Sequence, residues 1–129
     1  KEVFKLGLDL HGVSDTAVDF FSLITKLLVA NGHEVHLLTG SHGDRLDQQL
    51  KDAKITYTHL FSISDYLLDN GNPVRYEGDN PWFSDEEWNK AKSTYANQYK
   101  LDLTLDDTEV YGDYFEFPFA FIKIDMKTS

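Results

Sequence analysis

Three short stretches of this chain end in side chains that could do chemistry together. An apolar run, Leu6-Gly7-Leu8, leads into Asp9 and His11. A second, Val35-His36-Leu37-Leu38, ends at Thr39 and is followed by Gly40 and Ser41. A third, Leu103-Thr104-Leu105, ends in Asp106-Asp107. Each alone is commonplace, since an Asp at a strand end is often a cap or turn residue and an Asp-Asp pair often caps a turn, here Thr108-Glu109-Val110. Together they would set two or three carboxylates close enough to repel unless a proton or a metal lay between them. An oxygen-only ligand set in a chain without cysteine favours a hard cation such as Mg²⁺.

The elements that must position these residues follow from hydrophobic periodicity. Val3 to Leu10 reads as a buried strand closed by the His11-Gly12 turn. Ser14 or Asp15 can cap a helix over Thr16 to Asn31, where Ala17, Phe20, Phe21, Ile24, Leu27 and Leu28 recur at helical spacing and Gly32 terminates it. A strand over Glu34 to Thr39, a short helix with Leu46, Leu50 and Ala53 on one face, and a β-branched, aromatic strand over Ile55 to Phe61 come next. Alternating strand and helix predicts an α/β fold, Rossmann-like and three-layered, with a mostly parallel sheet of about five strands. The turn clusters Asn70-Gly71-Asn72-Pro73 and Gly78-Asp79-Asn80-Pro81 interrupt that rhythm, so about 62–84 reads as an inserted flap and no large cap domain is expected. Ser84-Asp85-Glu86-Glu87 is a capping box opening a helix to about Tyr99. Leu101 to Asp106 alternates as a fourth strand, and Phe119 to Ile124 is the fifth. In such sheets the ligand site lies beyond the carboxyl ends of the strands, where strand order reverses. Asp9 and Asp106 face each other if the first and fourth strands are neighbours.

Bulk properties narrow the function classes. The 129 residues, 41% hydrophobic and 26% charged, suit one domain, 1–129, with its own core. A net charge of −10 disfavours non-specific nucleic-acid binding, which needs clustered Lys and Arg. It also means that an anionic substrate needs a local cation. Without cysteine, disulfides, thiolate zinc sites and cysteine nucleophiles are excluded, in keeping with a reducing cytoplasm. The first residues lack a signal peptide's apolar stretch, and no apolar run reaches the ~18–20 residues of a membrane span.

The three stretches, in this order, resemble the motifs of the haloacid dehalogenase-like (HAD) phosphohydrolase superfamily. The first motif, Asp-x-Asp-Gly-(Thr/Val) after an apolar strand, is similar to Leu8-Asp9-Leu10-His11-Gly12-Val13. Thr39-Gly40 resembles the second motif, and Asp106-Asp107 the fourth. The third is a Lys on the preceding helix, for which Lys92, then Lys90, is preferred because that helix starts near the site; Lys100 falls at its far end. The resemblance implies an Mg²⁺-dependent phosphatase forming an aspartyl-phosphate on Asp9. Mg²⁺ would be held by Asp9, the His11 carbonyl and Asp106, with Asp107 adjusting the shell. Thr39, Gly40, Ser41 and Lys92 or Lys90 would hold the phosphoryl oxygens. His11 departs from the motif by standing where a second Asp serves as acid and base. Imidazole can do both, since its ordinary pKa of ~6.5 lies near working pH.

Small phosphate esters, nucleotides included, are the expected substrates, and an open site would also admit a phosphorylated nucleic-acid end. The replacement at His11 motivates an alternative, a non-hydrolytic phosphate- or nucleotide-binding or phospho-accepting module; a scaffold without chemistry is a third reading. His36 reads as a packed or hydrogen-bonded core residue, and His33 and His59 as too scattered for a zinc site. His42 could touch substrate. Arg75, Tyr76, Trp82 and Trp88 could line a substrate pocket but read rather as cover for a sheet edge, and Tyr111, Tyr114, Phe115 and Phe117 read as packing.

Overall fold

The strand-forming runs meet in one parallel sheet in a computed structural model that describes residues 2–71, 73–78, 80–116 and 118–121. β1 (Lys5–Asp9) is central, with β2 (Glu34–Thr39) on one side and β6 (Leu103–Asp106) on the other. β3 (His59–Ser62) extends the sheet beyond β2. β1 and β2 are buried along nearly their whole length, which is why both read as continuous apolar runs instead of alternating ones. Rather than five comparable strands, these four are joined at the edge by a three-residue segment, β7 (Phe119–Phe121), parallel to β6. The remainder of the expected fifth strand, together with Phe117, lies outside the described residues.

Strand order is β3-β2-β1-β6-β7, so the chain reverses its direction of travel between β1 and β6. Helices α1 (Val18–Ala30) and α2 (Gly43–Ala53) cover one face, where Phe21, Leu46 and Ala53 pack on Leu8 and Leu37. α3 (Ile63–Asn70) and α4 (Asp85–Tyr99) cover the other, where Ile63, Leu67, Ala91 and Ala96 pack with Leu38 and Phe61. The arrangement is α/β and compatible with a Rossmann-like fold. No helix among the described residues is long and apolar enough to cross a membrane.

Local chemistry accounts for several departures from the sequence reading. α1 begins at Val18 without a side-chain cap, because Ser14 and Asp15 are engaged in the loop after β1. Its Phe20, Leu23 and Leu27 are half-exposed, leaving Phe21 and Thr25 as its buried residues. β3 starts four residues later than Ile55 predicts, since Thr58 spends its amide and hydroxyl on the Val35 carbonyl before regular pairing begins. Much of the expected flap is helix: Ser62 caps α3, its hydroxyl accepting from the Asp65 amide, and Ile63 and Leu67 join the core. The flap proper is the antiparallel pair β4 (Arg75–Glu77) and β5 (Asn80–Trp82). The predicted capping box is present, with Ser84 Oγ accepting from the Glu87 amide at 3.2 Å.

Gly7 shows how tightly β1 is held. A Cβ there would stand 2.6 Å from Thr104 Oγ1 and 2.8 Å from a Leu101 methyl. Gly7→Ala should therefore destabilise the fold by about 1–3 kcal/mol, the usual cost of overpacking a core. A urea melt with an unchanged midpoint would show that the β1–β6 seam has slack.

Candidate functional site

The strand order brings the carboxylates of Asp9 and Asp106 to adjacent strand ends, both buried. Lys92, on the eighth position of α4 and itself 2% exposed, sets its ammonium between them. Nζ donates to Asp9 Oδ1 at 2.8 Å and to Asp106 Oδ2 at 2.6 Å. The second Asp106 oxygen, Oδ1, accepts from the Thr108 amide at 2.9 Å. Burial pushes the Asp9 carboxyl up to about 8; Asp106 adds to the rise and Lys92 opposes it. Burial also works against the Lys92 charge, but the two carboxylates outweigh it and hold the ammonium above its ordinary pKa.

The loop after β1, Leu10–Ser14, turns through Gly12 at φ +88°. A side chain there would run into the Asp107 carboxylate, so the loops after β1 and β6 interlock at a position only glycine fills. Ser14 Oγ donates to the Asp9 carbonyl at 2.6 Å and steadies the strand end. Asp15, expected as a helix cap, instead accepts from the Gly12 amide at 2.8 Å and pairs with His11 Nδ1 at 2.9 Å. A carboxylate can only accept, so His11 donates through Nδ1 and leaves Nε2 for proton exchange. The imidazole is 68% exposed and borders the cleft.

Above the carboxylates lies a cleft of about 820 Å³. Thr39, Gly40 and Ser41 border it at the end of β2, and the buried Thr39 hydroxyl accepts from the Ser41 amide at 3.1 Å. His42 and Arg45, at the start of α2, also line it, and Arg45 makes no hydrogen bond or ion pair among the described residues. The opposite wall is aromatic. Trp82 comes from the flap, and Trp88 of α4 lies so close to Gly40 that a Cβ there would be 2.8 Å from its ring. Tyr111 accepts from Trp88 Nε1 at 3.1 Å, and its ring faces Lys92 Nζ at 5.0 Å. Trp82, Trp88 and Tyr111 are thus pocket residues, a correction to their reading as edge cover and packing. Tyr76 is exposed away from the cleft, and Arg75 covers Trp82 at 5.0 Å.

Asp9, His11, Thr39, Gly40, Ser41, Lys92 and Asp107 all border the cleft, and Asp106 closes its floor through Lys92. Lys90 does not join them, because its ammonium is taken by Glu86 at 2.6 Å on the exposed face of α4; Lys100 ends that helix at the far end. Asp15 and Arg45 are site residues that sequence reasoning missed; the four-residue His–Asp spacing was the one signal for Asp15. Asp9, Asp106 and Asp107 offer carboxylate oxygens within 4.8 Å of one another. Three carboxylates against one ammonium leave an oxygen-only, net-negative site, which fits a hard divalent cation. No protein-family model, curated protein or solved structure matches this chain.

The raised Asp9 carboxyl has a sign that can be measured. Between its ordinary value of 3.8 and about 8, the unfolded state has lost a proton that the folded state keeps, so this group's contribution to stability falls as pH rises. For metal-free protein, denaturation across pH 5–8 should show this decline, at most about 1.4 kcal/mol per pH unit. Asp9→Asn should flatten it. An equal slope in Asp9→Asn would assign the decline to other groups.

Proposed function

We propose that this protein is a divalent-metal-dependent phosphohydrolase of the HAD-like type, acting on phosphate monoesters. The observation that carries the proposal is the Lys92 ammonium bridging buried Asp9 and Asp106 under an open cleft bordered by Thr39. It supports the resemblance read from the first, second and fourth motifs and favours Lys92 as the counterpart of the third. Asp9, Asp106, Asp107 and the His11 carbonyl would hold the metal, for which Mg²⁺ is the natural choice. Bound there, the metal supplies positive charge that favours ionised Asp9 and offsets the charge of the phosphoryl oxygens.

Asp9 attacks phosphorus through a carboxylate oxygen while the ester P–O bond breaks. The departing alkoxide takes its proton from His11 Nε2. His11 then accepts a proton from water, whose oxygen attacks the same phosphorus. The P–O bond to Asp9 breaks, inorganic phosphate leaves, and both residues return to their starting state. Asp15 keeps the imidazole oriented through Nδ1, and Thr39, the Gly40 and Ser41 segment and Lys92 meet the phosphoryl oxygens, where charge spreads in the transition state. The aromatic wall favours a leaving group that carries a flat ring, such as a nucleoside with its base.

A second reading, phosphate or nucleotide binding without turnover, is favoured by the raised Asp9 carboxyl, because a protonated acid is a poor nucleophile. Phosphate release from a panel of esters separates the two. The enzyme reading expects Mg²⁺-dependent release that EDTA stops and Asp9→Asn abolishes. Binding of phosphate or nucleotide with no release from any ester leaves the second reading standing. Given turnover, His11→Ala should lower kcat by about 10²–10⁴-fold, the usual worth of a general acid–base group. Asp15→Asn should move the basic limb of the pH–rate profile to lower pH without abolishing turnover. An unaltered rate in His11→Ala would remove the imidazole from the chemistry.

A further inference from the structure

At the other end of the sheet, Glu34 and His36 sit two residues apart on β2, and His59 is the cross-strand partner of His36 on β3. Side chains two apart on a strand share a face, and register partners lie side by side, so the three converge. One ligand atom from each lies within 4.8 Å of the others. His33, by contrast, is spent on the Phe4 amide. His59, which in sequence reads with His33 as too scattered for a zinc site, is instead aligned by the strand register with His36, which reads there as a core residue alone. Glu34 lies about 16 Å along β2 from Thr39, at about 3.3 Å per residue, so this cluster is separate from the cleft.

We infer that Glu34, His36 and His59 form a site for a borderline divalent metal of the Zn²⁺ class. His36 is fully buried and its ring is held at both nitrogens: Nδ1 meets the Tyr95 hydroxyl and Nε2 meets Glu34 Oε1, each at 2.7 Å. Metal-binding histidines are commonly oriented in this way, by a hydrogen bond on the nitrogen that does not bind the ion. An ion taking the Nε2 lone pair requires the neutral imidazole as its Nδ1–H tautomer, so the proton that Nε2 donates to Glu34 moves to Nδ1 and none is lost overall. The Tyr95 hydroxyl, able to donate or accept, then accepts from Nδ1–H.

Tetrahedral Zn²⁺, with bonds of about 2.0–2.1 Å, places its ligand atoms about 3.3 Å apart. Glu34 Oε1 now stands 2.7 Å from His36 Nε2 and 4.0 Å from His59 Nδ1, on either side of that spacing. The imidazoles stack in parallel at 4.1 Å, so His59 must tilt to turn its lone pair toward the ion. It is free to do so: its side chain is 41% exposed, and its Nδ1 contact is the neighbouring Thr58 hydroxyl. Glu34 is also partly exposed, which leaves a solvent path and an open fourth position. Lys5, the nearby cation, directs its ammonium to the Tyr99 carbonyl at 3.3 Å. Two imidazoles and one carboxylate select Zn²⁺, Co²⁺ or Ni²⁺ over Mg²⁺, whereas the oxygen-only cluster at the cleft has the opposite preference.

Co²⁺ reports this difference through its visible absorption. With the full chain in excess Mg²⁺, one equivalent of Co²⁺ should give a tetrahedral-type band that Zn²⁺ removes. His59→Ala and Glu34→Gln, both at partly exposed positions, should each weaken Co²⁺ binding at least tenfold with an unchanged circular dichroism spectrum, while Asp9→Asn should bind as wild type does. Zn²⁺ should raise the Tm of wild type more than that of His59→Ala. Loss of the band in Asp9→Asn, equal affinity in both cluster variants, or no band at millimolar Co²⁺ would each overturn the assignment.

Discussion

Two carboxylates buried at neighbouring strand ends are tolerable only if something positive stands between them, and the rest of the site is arranged around that requirement. Lys92 meets it from α4, fourteen residues before Asp106 in the chain. The helix must therefore begin beside the cleft and run back along the sheet, and Ser84 sets that beginning by capping its first turn. The same placement brings Trp88 one turn earlier, onto the Gly40 backbone, so helix register positions a cation and an aromatic wall at once. An ammonium alone does not neutralise the cluster, which leaves the centre dependent on a proton or a metal ion.

The electrostatics of the molecule sharpen this dependence. In a chain with a net charge of −10, the cleft still borders on Lys92 and Arg45, and the imidazoles of His11 and His42 stand at its mouth. Asp9, Glu77, Asp85 and Asp107 line the same cleft, so its acidic side chains outnumber Lys92 and Arg45. An anion held there would therefore need a bound cation beside Lys92 and Arg45 to offset those acids.

Much of this was legible in the residues. Strong apolar runs located β1 and β2, the capping box located α4, and the direction of that helix singled out Lys92 over Lys90 and Lys100. What escaped was set by three-dimensional placement. Asp15 looks like a helix cap until the positive-φ turn at Gly12 brings His11 back over it. The pairing of His36 with His59 depends on the register between β2 and β3, which no local pattern announces. α3 was hidden because Asn70 and Gly71 marked a break, while the eight residues before them were too few to show a clear helical period. Tyr111 and Trp82 carry the composition of packing residues, and only the cleft distinguishes them.

The hairpin Arg75–Trp82 contributes a wall to the cleft and no group to its floor. It is closed at its base by the Val74 amide donating to the Trp82 carbonyl at 2.7 Å, and it hangs between α3 and α4 without a strand in the main sheet. The cleft's outer wall and its acidic floor at Asp9 are thus inherited on separate pieces of chain. A lineage can rewrite the hairpin's length or side chains and acquire a new ligand preference, while the strand ends, with their exacting charge balance, pass on unaltered.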